Sequence, residues 1–103
     1  MKDEIKNQIE NDIKNNKVIL YMKGTSQSPM CGFSARAVEV LNQYGITFKD
    51  VNVLDNEEIR SGIKEYSDWP TIPQLYINGE FIGGSDILME LHESGELGKL
   101  LEK

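Results

Sequence analysis

Val18-Ile19-Leu20-Tyr21-Met22-Lys23-Gly24-Thr25-Ser26-Gln27-Ser28-Pro29-Met30-Cys31-Gly32-Phe33-Ser34 is the stretch that decides the fold. Its first five residues form a continuous apolar run of strand length, the pattern of a central strand covered on both faces. Gly24 to Pro29 is dense in turn-forming residues and reads as a loop. Beyond it Ala37, Val38, Leu41 and Tyr44 recur at helical spacing until Gly45 supplies a C-terminal stop. Cys31 therefore falls where a loop enters a helix.

Upstream, Ile5, Ile9 and Ile13 form an apolar stripe on a helix that ends at Asn15-Asn16. Downstream, residues 46–53 read as a second strand, although the apolar positions change parity between Phe48 and Val51 and leave its facing open. Asp55 followed by Glu58 has the form of a capping box for a third helix, with Ile59, Ile63 and Tyr66 on the buried face and Arg60 and Lys64 one turn apart on a more exposed one. Gln74–Ile77 and residues 80–82 flank Asn78-Gly79, the dipeptide best suited to a type I′ hairpin. Gly83-Gly84 leads to a fourth helix from Ser85-Asp86, with Ile87, Leu88 and Leu91 inward and a short amphipathic tail after Gly95. This order predicts an α/β architecture with a mixed sheet: a right-handed parallel crossover first, then an antiparallel pair.

The 103 residues suit a single domain spanning 1–103. A formal charge of -6 repels a phosphate backbone, which argues against nucleic acid as a partner. No apolar run is long enough to cross a bilayer, and Met1-Lys2-Asp3-Glu4 carries acid where a secretion or transit signal avoids it, so the expectation is a cytoplasmic protein without a membrane partner. A mitochondrial matrix protein that had lost its transit segment would read the same way. One cysteine makes no internal disulfide, which favours a reducing compartment. By composition alone Cys31 is either a buried apolar filler or a working thiol.

The junction of loop and helix favours the second option, because unpaired N–H groups and the positive end of the helix dipole stabilise a thiolate there. Lys23, at the exit of the first strand, is either a solvated lysine or a cation close to the sulfur. Ser34 is read as an early-helix serine that satisfies a backbone donor or faces solvent. The methionines and remaining aromatics are expected to fill the core, and His92 to face solvent, since one histidine without nearby cysteines is no metal signature.

Cys31-Gly32-Phe33-Ser34 resembles the motif of the monothiol glutaredoxins of the CGFS class. The resemblance extends to Met22-Lys23-Gly24-Thr25, to Trp69-Pro70-Thr71-Ile72-Pro73-Gln74-Leu75 and to Gly83-Gly84-Ser85-Asp86. It implies a thioredoxin-like fold with a four-stranded mixed sheet flanked by helices, and glutathione in a groove beside the catalytic Cys31 that also takes in Phe33. It further implies a cis bond before Pro73, which would offer the Ile72 backbone to the tripeptide, with Thr71 shaping that edge. The N–H groups behind Gly84, Ser85 and Asp86 suit the γ-glutamyl carboxylate, Asp86 suits the ligand ammonium, and Lys23 and Arg60 suit the glycyl carboxylate. Against these roles stand plainer ones: Ser85 as a cap, Arg60 as a solvated charge, and Gly83-Gly84 as a hairpin closure. Trp69-Pro70 is expected to cover an edge and stiffen the approach to the groove.

Many members of the class carry a second cysteine where this chain has Ser85, so no internal disulfide with Cys31 forms here. Turnover as an oxidoreductase must then borrow a thiol from glutathione, which makes the chain at most a weak glutathione-dependent enzyme of protein deglutathionylation. A [2Fe–2S] cluster needs four sulfurs, and two chains with two glutathiones supply them. The resemblance accordingly favours a cluster carrier that dimerises through Cys31 of each subunit and serves apo iron–sulfur proteins, with a BolA-like protein as a further partner. Gly32, less bulky than the Pro-Tyr of dithiol relatives, leaves room for that approach.

Overall fold

Every residue of β1 (Val18–Met22) is buried, as a strand with helices on both sides requires. The computed structural model, which describes residues 1–103, places it beside β2 (Lys49–Asn52) in parallel and beside β3 (Gln74–Ile77) in antiparallel register. β3 in turn pairs antiparallel with β4 (Glu80–Gly83), giving the sheet order β2-β1-β3-β4. The hairpin turns at Asn78 and Gly79, both with positive φ (52° and 84°), as a type I′ turn demands.

Alternation along the strands sorts the core into two layers. Val18, Leu20 and Met22 of β1 and Leu75 and Ile77 of β3 face α2 (Gly32–Asn42), α4 (Ser85–Ser94) and α5 (Glu96–Glu102), where they meet Val38, Leu41, Leu88 and Leu97. Ile19, Tyr21 and Tyr76 face the opposite way, toward α1 (Asp3–Asn15) and α3 (Glu57–Ser67), and pack on Ile9, Ile13, Ile59 and Ile63. The parity change in the second strand is explained by this two-sided cover. Ile46 and Phe48 pack on the first layer, Val51 and Val53 on the second. Only Lys49–Asn52 of the expected 46–53 pair as strand.

Some expectations shift in detail. Asp55 does not cap α3: Asn52 Oδ1 accepts the Leu54 N–H and closes a 3₁₀ turn over Val53–Asp55, which moves the helix start onto Asn56. Asn56 Oδ1 accepts from Glu58 N at 3.0 Å and Ile59 N at 3.2 Å. Tyr66 is 37 % exposed, and Ile87 and Leu91 are half-buried. His92 is not a solvent residue, since its Nδ1 lies 2.7 Å from Tyr44 Oη and joins α4 to the end of α2. Met22 and Met89 fill the core, whereas Met30, next to Cys31, is 70 % exposed.

Two buried hydroxyls are left without a partner, those of Tyr21 and Ser85, and the first lies in the core. Tyr21 is wholly buried and its hydroxyl has no hydrogen-bond partner, and burial, with Asp12 nearby, pushes its pKa upward. An unpaired buried hydroxyl costs about 1–3 kcal/mol, so removing it recovers that cost while the ring stays. Tyr21→Phe is therefore expected to raise the unfolding free energy in urea by about 1 kcal/mol; a loss of that size would show that the hydroxyl has a partner.

Candidate functional site

The loop between β1 and α2 is fixed by short polar side chains that take its backbone N–H groups. The Lys23 N–H donates to Ser34 Oγ at 3.1 Å, the Gly24 N–H to Asn52 Oδ1 at 2.9 Å and the Ser26 N–H to Asp50 Oδ2 at 2.8 Å. The Met30 N–H returns to the Lys23 carbonyl at 2.9 Å, closing the loop on itself. Gly24 is required here: its φ is +86°, and a Cβ would lie 2.5 Å from the Ser28 carbonyl oxygen. Ser34 is completely buried and its Oγ accepts that Lys23 N–H, so of its two expected readings the one that satisfies a backbone donor holds and the solvent-facing one does not. Its hydroxyl ties the end of β1 to the first turn of α2.

That clasp leaves Cys31 as the N-cap residue of α2, with no side chain capping the helix. Cys31 is a half-buried free thiol. Its pKa is held below the ordinary thiol value, first by the Ser34 backbone N–H; burial opposes this, and the Phe33 N–H, the Lys23 charge and the Ser34 hydroxyl add to the lowering. These dipoles and this cation make the anion more accessible than it is in an unstructured cysteine.

A groove of about 390 Å³ opens beside the sulfur. It is lined by Lys23, Cys31 and Phe33, by the segment from Trp69 to Pro73, and by Gly84, Ser85, Asp86 and Ile87 at the start of α4. The Ile72–Pro73 bond is cis. Trp69 leans on Phe81 of the edge strand, ring centroids 5.9 Å apart, which agrees with an edge-covering indole. Of the residues singled out in the sequence, Lys23, Cys31, Phe33, Thr71, Ile72, Pro73, Gly84, Ser85 and Asp86 are brought together here. Arg60 is not among the lining residues; Lys64, one turn further along α3, is. Lys64 was visible as Arg60's neighbour on the same helix face, but periodicity did not say which of the two reaches the groove.

The start of α4 offers open polar groups where it lines the groove. α4 starts at Gly84 without a side-chain cap, so its first N–H groups are open. Ser85 Oγ is buried without a hydrogen-bond partner. A Cβ on Gly84 would lie 3.3 Å from the Pro73 carbonyl oxygen, 3.5 Å from Trp69 Nε1 and 4.0 Å from Thr71 Oγ1, so the glycine keeps this corner open.

Thiol chemistry tests this electrostatic picture. Alkylation of Cys31 is expected to rise with pH through a midpoint below that of an unstructured cysteine, because the anion is the nucleophile. Lys23→Gln should move the midpoint upward, and added salt should shrink the difference between the two proteins. Since the folded value lies below the unfolded one, the thiolate's contribution to stability is complete above the unfolded pKa and is lost as pH falls through the folded pKa. A midpoint at or above that of the urea-unfolded chain would overturn this.

Comparison with known proteins agrees with the geometry. The family model described as Glutaredoxin matches residues 18–82. A probable monothiol glutaredoxin 2 of Rickettsia conorii is 60 % identical over 94 residues, covering 91 % of this chain and 88 % of the relative. The solution structure of reduced apo GrxS14 from poplar superposes with a TM-score of 0.84 at 49 % identity, covering 95 % of this chain and 90 % of that one. A buckwheat glutaredoxin–glutathione complex superposes with a TM-score of 0.86 over 99 % of this chain and 94 % of that one, and at 22 % identity this likeness bears on the fold alone. With one cysteine, placed in Cys31-Gly32-Phe33-Ser34 at the head of α2, the chain belongs to the glutaredoxin family as a monothiol member of the CGFS class.

Proposed function

We propose that residues 1–103 act as one glutaredoxin domain that binds glutathione in the groove and carries a [2Fe–2S] cluster as cargo, accepting it and handing it to apo iron–sulfur proteins. The observation that carries this reading is a lone thiol with a lowered pKa in a groove that also takes in an uncapped helix start with an unpartnered Ser85 hydroxyl. A tripeptide with a carboxylate at each end and a thiol in the middle matches that layout. Its γ-glutamyl carboxylate would take the open N–H groups of α4 and Ser85 Oγ, and Asp86 its ammonium. Its glycyl carboxylate would take Lys23 and Lys64. Arg60, off the lining, is left a long-range electrostatic part. Phe33, Thr71, Ile72 and Pro73 supply the walls.

The donor set supports cargo shared between chains. No group of three or more His, Cys, Asp and Glu side chains within one chain is placed to hold a metal ion, and Cys31 is the one sulfur ligand with thiolate character. Four sulfurs therefore call for Cys31 from two copies and a glutathione thiolate from each groove. Gly32 is exposed and a Cβ there would meet nothing within 4 Å, so the fold itself does not require glycine. The open space there suits the approach of a second copy, or of a BolA-like partner that the family resemblance suggests. A reducing setting, cytoplasm or organelle matrix, follows from the need for a free thiol and reduced glutathione.

The lowered Cys31 pKa also supports deglutathionylation at the same site. The Cys31 thiolate attacks the glutathione sulfur of a protein mixed disulfide and the protein thiolate leaves. A second glutathione thiolate then attacks the Cys31-bound sulfur, releasing glutathione disulfide and restoring Cys31.

Anaerobic reconstitution with iron, sulfide and glutathione tests the carrier. Visible absorption accompanied by dimerisation is expected, and both should vanish when glutathione is omitted or in Cys31→Ser. A colourless monomer that exchanges rapidly with glutathione disulfide would leave only the enzyme reading. Lys64→Gln is expected to weaken glutathione binding roughly fivefold, measured by calorimetry, with Arg60→Gln changing it by less than twofold. The reverse ranking would return Arg60 to the groove.

A further inference from the structure

We propose that Gln74 is the positioning residue of the groove, its buried amide pulling the Trp69 and Thr71 carbonyls inward and so fixing the face that this wall turns to a ligand. Packing of Ile72 in the layer beneath α1 and α3 and of Trp69 on Phe81 holds the side chains of this wall, but little else fixes its backbone. Pro70 and Pro73 have no N–H to give, and residues 70–73 take part in no backbone-to-backbone hydrogen bond. The Trp69 N–H is bound to the Lys64 carbonyl at 3.1 Å, which anchors only the start of the segment. Gln74 Nε2 donates to Trp69 O at 3.1 Å and to Thr71 O at 3.2 Å.

The amide orientation is dictated by its partners. Both carbonyls are acceptors only, so the NH₂ end must face them, and Oε1 is left to accept from Tyr76 Oη at 3.2 Å. Tyr76 is suited to that task, because burial, above all, pushes its pKa up to about 12 and the phenol keeps its proton. Its ring is itself wedged between Tyr21, at 5.9 Å, and Phe81, at 5.4 Å, against which Trp69 also leans. Gln74 is 0 % exposed, a position where an unsatisfied amide would be costly. An apolar residue would fill the space, but only a side chain with two donors and one acceptor completes this set. On the glutathione reading, this amide presets the edge along which the tripeptide lies, although it does not touch the ligand.

Two variants test the assignment, Gln74→Met, which keeps the volume, and Gln74→Glu, which keeps the shape and removes the donors. In the ligand-free protein both should shift the NMR amide signals of Thr71 and Ile72 and the Trp69 indole signal, while the alkylation rate of Cys31 stays unchanged. Binding of S-methylglutathione, which has no free thiol, should weaken roughly tenfold in Gln74→Met. In Gln74→Glu the loss should be larger at high pH and recover as the pH falls, because a buried carboxyl titrates above its usual range and donates again once protonated. A ratio of Gln74→Glu to wild-type affinity that stays constant with pH, or wall signals unmoved in both variants, would overturn the proposal. If the acid variant does not fold, the amide shifts and binding of Gln74→Met decide alone. Should the wild-type chain show no affinity for S-methylglutathione, the function proposed above fails, and the wall signals by themselves still decide for or against Gln74.

Discussion

The hydrogen bond from the Lys23 backbone to the buried Ser34 hydroxyl joins the end of the central strand to the start of the helix that carries Cys31. The sulfur's chemistry depends on that junction, because a thiol gains from a helix start only when it sits within the first turn. Asn52 and Asp50 brace the same loop from the neighbouring strand through Gly24 and Ser26. Each bond is an ordinary one, worth about 1 kcal/mol net, but together they leave the loop with few alternatives. The charge that favours the thiolate is local and owes nothing to a net charge of -6.

Much of the architecture was legible in the residues because both sheet faces are apolar. Val18 to Met22 announced a two-sided strand, and Asn78-Gly79 announced the turn whose positive φ values are observed. What the pattern left open was decided by side-chain hydrogen bonds across distances that periodicity does not encode. Asp55 and Asn56 are both good caps by type, and the 3₁₀ turn closed by Asn52 gave the helix to Asn56. His92 looked solvent-facing on its own helix, and only the packing of α4 on α2 brought it to Tyr44.

The site was legible in a different degree. Cys31 and Lys23 stand at element ends, where chain order points to convergence beyond the strands, whereas the run from Gly84 to Asp86 was placed beside them by the family resemblance. Arg60 and Lys64 share a helix face, and choosing between them requires knowing where along α3 the groove ends. Gln74 carried no signal by itself. A lone glutamine at the start of a strand reads as a surface residue until its burial and its three partners are known.

The groove is also a seam. Cys31, Ser85 and Ile87 belong to elements rooted in the apolar layer beneath α2 and α4, while Lys64 and Ile72 are rooted in the layer beneath α1 and α3. Any molecule seated between them is held by both layers at once, so its binding energy opposes the parting of either from the sheet. Damage deep under α1, far from the sulfur, would loosen one lip of the seam and appear as weakened occupancy before it appeared as unfolding.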